Sequence, residues 1–138
     1  MKGFTIEQIS LGQSASFAKT ITETDVYMFA GISGDFNPAH INEEYAKNTM
    51  FKGRIAHGML GASLISTVLA SYLPGPGTIY LGQNLKFLAP VRFNDTITAT
   101  CTVKEITAEK NRVILDCVVT NQDGTPVING EAVVMPPK

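Results

Sequence analysis

The chain has 138 residues, of which 44% are hydrophobic and 17% charged, with a net charge of -1. That length suits one domain, 1–138, and that much apolar material fills a core, which excludes an intrinsically disordered chain. The basic residues are scattered singly, so neither a nucleic-acid groove nor a polybasic membrane patch is expected.

In chain order, Gly12 to Thr20 alternates loosely and reads as an edge strand. Thr22-Glu23-Thr24-Asp25 puts hydroxyls and acids ahead of Val26, Met28, Phe29 and Ile32, the opening of a helix that should stop near Ser33-Gly34. Asn37-Pro38 then starts a second short helix running through Ala39 to about Lys47. A long helix over His57 to Leu73, about 25 Å at 1.5 Å per residue, ends at Pro74-Gly75-Pro76-Gly77. It is too short and too rich in Ser and Thr for a bilayer span and, being apolar or small all round, is expected to be buried. Thr78 to Leu88, Asp95 to Ile106, Arg112 to Thr120 and Pro126 to Met135 are strand-like and separated by turn residues.

Helices first and hairpin-linked strands afterwards indicate an α+β architecture. A buried helix needs a wrapping, and an antiparallel sheet of four or five twisted strands is what the remaining residues can build, which is the hot-dog fold. A single sheet of this kind leaves an edge open, so a homodimer or higher homo-oligomer is expected. Cys101 and Cys117 stand in strand-like stretches without CxxC spacing, so neither a disulfide framework nor a zinc site is expected. With an acidic residue early and no long apolar run at the N-terminus, the cytoplasm is the expected compartment.

Two strings stand out. Gly34-Asp35-Phe36-Asn37-Pro38-Ala39-His40 sets a carboxylate and an imidazole five positions apart across a loop-to-helix junction, where both can reach one small space for acid and base work. Asp-x-Asn-Pro is also ordinary turn chemistry, and Asn37 is a natural cap. Arg54-Ile55-Ala56-His57-Gly58-Met59 opens the long helix; the Gly58 N–H could donate to a developing oxyanion, or the glycine could serve close packing. His57 alone reads as a structural residue near a helix start rather than a catalyst. Ser66 lies within about 80° of Gly58 on the helical wheel and either reaches the same cleft or bonds back to its own helix.

Together with Tyr80-Leu81-Gly82-Gln83-Asn84-Leu85-Lys86-Phe87-Leu88-Ala89-Pro90-Val91, these strings resemble the MaoC-like (R)-specific enoyl-CoA hydratase family, from about Thr22 to Val134. The resemblance implies a homodimeric hot-dog protein that reversibly hydrates trans-2-enoyl-CoA to (3R)-hydroxyacyl-CoA. It also implies Asp35 and His40 as the catalytic pair, Gly58 as oxyanion donor, Ser66 as a supporting hydroxyl and Asn37 as a residue that helps hold the water. No metal or redox cofactor is expected, coenzyme A being part of the substrate, and no phosphate-cradling glycine loop is present. Leu69, Val133 and His57 are candidate walls for the acyl chain, though the first two are equally ordinary core. A hot-dog acyl-CoA thioesterase is the rival enzyme; the absence of Asp and Glu from His57 to Leu73 speaks against it. A non-catalytic acyl-CoA-binding module is the other alternative.

Overall fold

The computed structural model describes residues 1–138. After a short 3-10 turn at Ile6–Gln8 come strand β1 (Ser14–Thr20), helices α1 (Glu23–Ser33), α2 (Pro38–Ile41), α3 (Glu43–Ala46) and α4 (Gly58–Ser71), and strands β2 (Ile79–Phe87), β3 (Thr96–Thr107), β4 (Arg112–Thr120) and β5 (Pro126–Met135). The strands form one antiparallel sheet in the order β1-β3-β4-β5-β2. This is the hot-dog arrangement expected from the sequence, an α+β fold with α4 against the concave face.

Period-two patterning builds the sheet. On β3, Ile97, Ala99, Cys101 and Val103 are buried, and on β4 so are Val113, Leu115, Cys117 and Val119, while the alternate residues face outward. Register pairs Ala99 with Val119, Cys101 with Cys117 and Val103 with Leu115, so the two apolar rows coincide. The row is completed by Ile128, Ala132 and Val134 of β5.

Helix α4 lays Gly61, Ala62, Leu64, Ile65, Val68 and Leu69 on this surface. Gly61 permits the approach, since a Cβ there would stand 3.2 Å from Ile128 Cδ1. One expectation is corrected here: α4 is not covered all round, because Met59, Ser63, Ser66 and Ala70 form an exposed stripe opposite the sheet. The sheet covers only one side of the helix, and the small and hydroxylated residues take the other.

Helix α1 begins in a capping box, with the Asp25 N–H donating to Thr22 Oγ1 at 3.1 Å and the Thr22 N–H to Asp25 Oδ2 at 2.9 Å. It ends at Gly34, whose φ of 79° is the left-handed closing turn. The expected helix from Ala39 to Lys47 is in fact two. Asn42 closes α2 through its N–H to the Pro38 carbonyl and caps α3 by accepting the Tyr45 N–H at 3.1 Å. Asn is well suited to both jobs, and the chain turns between them. No helix is long and apolar enough to cross a membrane.

Candidate active site

The site forms where the α1–α2 loop meets the start of α4. Gly34 reverses the chain, and the Asp35 carboxylate then accepts the Asn37 N–H at 3.1 Å, closing a tight turn. Asn37 caps α2 by accepting the Ala39 N–H at 3.1 Å, and Pro38 fills the first helical position. His40 thereby points inward and is buried, with Nδ1 2.7 Å from the Ile55 carbonyl. A carbonyl oxygen only accepts, so Nδ1 carries the proton and Nε2 of the neutral ring holds the lone pair.

His57 is the residue before α4 and is only 2% exposed. Its Nε2 lies 2.9 Å from the backbone carbonyl of Asp35, which by the same logic makes Nε2 the donor and leaves the lone pair on Nδ1. Nδ1 has neither a hydrogen-bond partner nor contact with solvent, an arrangement that costs about 1–3 kcal/mol. The only two histidines of the chain stack on each other, ring centroids 3.9 Å apart and planes 29° apart, and Phe29 tilts against His57 at 4.8 Å.

Asp35, His40 and His57 bring potential ligand atoms within 4.8 Å of one another. Imidazole lone pairs lie in the ring plane, however, and two stacked rings cannot aim them at one tetrahedral ion. The arrangement suits proton handling better than metal coordination.

Asp35, His57 and Gly58 lie on the wall of a cavity of about 530 Å³, whose other lining is mostly apolar and includes Met50, Phe51, Phe87 and Ile128. His40 is not on that wall; it stacks against His57, which is. The Gly58 N–H is one of the free first-turn donors of α4, whose first carbonyl acceptor, His57 O, is used by Leu60 and Gly61. Arg54 staples the neighbourhood, donating to Glu23 at 2.9 Å, to the Tyr27 hydroxyl at 2.8 Å and to Glu43 at 3.4 Å. Hydrogen bonds from Tyr27 and then Arg54 hold the Glu23 carboxyl below its usual value.

Several candidate residues stand elsewhere. Ser66 is on the exposed stripe of α4, eight residues and about 12 Å along the helix from Gly58, outside the cavity of this chain. Leu69 is 1% exposed in the core and does not reach the cavity. Val133 is on the outer sheet face, in the same parity as Glu131, which pairs there with Lys104 at 2.9 Å. Asn37, by contrast, stays at the site in the Asp35 turn, where its side-chain oxygen accepts the Ala39 N–H and its own N–H donates to Asp35. Phe87, Met50 and Phe51 also wall the cavity, a role that the sequence signals only through the Tyr80 to Val91 string of the family resemblance, which covers Phe87.

Residues 7–123 match the MaoC like domain. The chain belongs to the MaoC-like family. It is 59% identical over 131 residues to an (R)-specific enoyl-CoA hydratase from Rhodospirillum rubrum, covering 95% of this chain and 90% of that one. It is 43% identical to a 3-hydroxybutyryl-CoA dehydratase from Methylorubrum extorquens, covering 96% and 83%. Among solved structures, the unliganded R-hydratase PhaJ1 from Pseudomonas aeruginosa superposes with a TM-score of 0.93 at 46% identity, covering 99% of this chain and 87% of that one. The (R)-hydratase from A. caviae does so with 0.92 at 40% identity, covering 95% and 99%.

Proposed function

We infer that this MaoC-like protein is an (R)-specific enoyl-CoA hydratase, a hydro-lyase that reversibly adds water across the double bond of a trans-2-enoyl-CoA to give the (3R)-hydroxyacyl-CoA. The observation that carries the chemistry is the meeting of the Asp35 carboxylate and the His40–His57 stack beside the free Gly58 N–H at a largely apolar cavity. High identity to a relative with that activity supports it across almost the full chain.

Hydration requires a base for the water, a proton for Cα and a donor for the charge that builds on the thioester oxygen. The lone pair on His40 Nε2 and the carboxylate of Asp35 would share the water's proton as its oxygen bonds to Cβ. The same pair would return a proton to Cα, so that the net addition is one water. The Gly58 N–H, at the positive end of α4, would hold the thioester oxygen as the enolate forms. The apolar wall would take the acyl chain. Every group this scheme needs comes from the polypeptide, so it calls for no metal or redox cofactor. The thioesterase alternative is disfavoured because α4 carries no carboxylate.

The homodimer is supported by β2, an edge strand on which Ile79, Tyr80 and Leu81 are exposed beside an unpaired backbone. A reducing compartment, the cytoplasm, suits Cys101 and Cys117, which face each other as free thiols.

The deciding experiment follows the ultraviolet band of the conjugated thioester in crotonyl-CoA, with chiral analysis of the product. Loss of the band giving the (R)-alcohol, abolished in Asp35→Asn and His40→Ala, is the expected result. An inert wild-type protein would refute the activity, and full turnover in either variant would remove that residue from the mechanism.

A further inference from the structure

The α1–α2 loop that carries Asp35 has little to hold it. Residues 31–38 are all exposed, and the hydrogen bonds of Gly34 to Asn37 run almost entirely to near neighbours in sequence: Gly34 to Ala30, Asp35 to Ser33, Asn37 to Asp35, and Ala39 and His40 to Asn37. One bond alone ties this stretch to a distant part of the chain, from His57 Nε2 to the Asp35 carbonyl, across 22 residues. The same ring packs against Phe29 and presents its face to His40 at 3.9 Å. Its remaining polar atom, Nδ1, is buried without a partner. An isolated structural role would be filled at less cost by an apolar ring; what imidazole adds here is the single N–H aimed at Asp35.

We propose that His57 is a positioning residue that holds Asp35 and His40 in register, the first through its Nε2–H bond to the Asp35 carbonyl and the second through its ring face. It rests on the reading of Asp35 and His40 as the catalytic pair. His57 touches no reacting atom in this scheme. It fixes the carboxylate of an otherwise loosely tied loop relative to the buried His40, and the flat ring sets how closely the two approach. Reaction geometry of this kind is sensitive, a displacement of about 1 Å being able to cost roughly 100-fold in rate.

Three variants of the full-length protein separate this role from simple packing. His57→Phe keeps the flat face and loses the donor. His57→Gln places an amide N–H close to where Nε2–H stood and loses the ring. Asp35→Asn reports on the catalytic pair itself. With crotonyl-CoA as substrate, kcat of His57→Phe is expected to fall roughly 100-fold with KM within about twofold, and His57→Gln is expected to recover at least part of that loss. Amide exchange at residues 35–37 is expected to quicken in His57→Phe and less so in His57→Gln. Should His57→Phe fail to fold, His57→Asn, whose shorter amide ends near the position of Nδ1 and leaves the Asp35 carbonyl unreached, takes its place with the same expected loss. A loss of less than about tenfold in the donor-less variant, a loss confined to KM, or a His57→Gln enzyme no better than His57→Phe would overturn the proposal while Asp35→Asn is inactive. Full turnover by Asp35→Asn would instead remove the catalytic reading beneath it, and the positioning role with it.

Discussion

The ring of Phe87 fills the space in which a side chain at residue 58 would stand: a Cβ on Gly58 would lie 2.7 Å from Phe87 Cε1 and 2.8 Å from Cδ1. Phe87 is also part of the cavity wall, so the glycine both admits the aromatic wall and leaves its own N–H uncovered. Gly58→Ala is expected to displace Phe87 and lower kcat by about 100-fold to 1,000-fold, the range found when an oxyanion donor is lost. Steady-state kinetics on crotonyl-CoA check it, with Gly58→Ala/Phe87→Ala as the companion. Restoration of activity in the double variant would show that steric displacement, not the donor, is the problem.

Leu69 tests where the core ends and the cavity begins. Because it is fully buried between α4 and the sheet, Leu69→Ala is expected to lower stability by about 2–5 kcal/mol through loss of packing. The acyl chain-length profile is expected to stay the same. Chemical denaturation and a series of enoyl-CoA lengths measure the two effects separately.

The helical wheel made Ser66, and apolar character made Leu69, a plausible cavity residue, because neither shows which arc of the helix the sheet covers. On α4 the sheet takes Leu64, Ile65, Val68 and Leu69 and leaves Ser63 and Ser66 in solvent. The strands match the sequence more closely: β4 and β5 run over Arg112–Thr120 and Pro126–Met135, the bounds expected from their composition and flanking turns. Val133 was misplaced because β5 carries valine on both faces, and parity becomes visible only when Glu131 is seen paired to Lys104 outside. Asp35 and His40 were legible from their spacing and the Asn-Pro helix start between them. The stacking of His40 on His57 was not, since it depends on Ile55 and Asp35 offering backbone carbonyls from opposite sides.

Acid should loosen α1 first. Asp25 bonds to Lys19 at 2.8 Å and to the Thr22 N–H, and these contacts, Lys19 foremost, hold its carboxyl below the ordinary range. A lowered folded-state value means that the charged form favours the native state. The contribution is present above the unfolded-state value of about 3.9 and disappears as pH falls through the lowered one. Asp25→Asn is expected to cost about 1 kcal/mol near neutrality, as loss of a helix cap does, and nothing at pH values below both. Melting curves of both proteins at several pH values check the convergence.

The two thiols should be silent. Cys101 and Cys117 are wholly buried with sulfurs 3.6 Å apart, and the hydrogen bond to Cys117 together with burial pushes the Cys101 thiol well up. A thiolate is the reactive form. Ellman's reagent is expected to find no reactive thiol in the native protein and two per chain after denaturation.

The break at Asn42 leaves the segment bearing His40 dependent on its neighbours. Helices α2 and α3 have four residues each, well short of the roughly 12–15 that a helix needs to persist alone in water. Their support comes from Ile55, in the loop that leads into α4, which gives its carbonyl to His40 and its N–H to the Ala39 carbonyl and is itself bridged to Arg92. The segment bearing His40 therefore keeps its shape by leaning on the stretch of chain that leads into α4. A substitution that loosens that stretch would free His40 from its place while leaving the buried core under the sheet untouched.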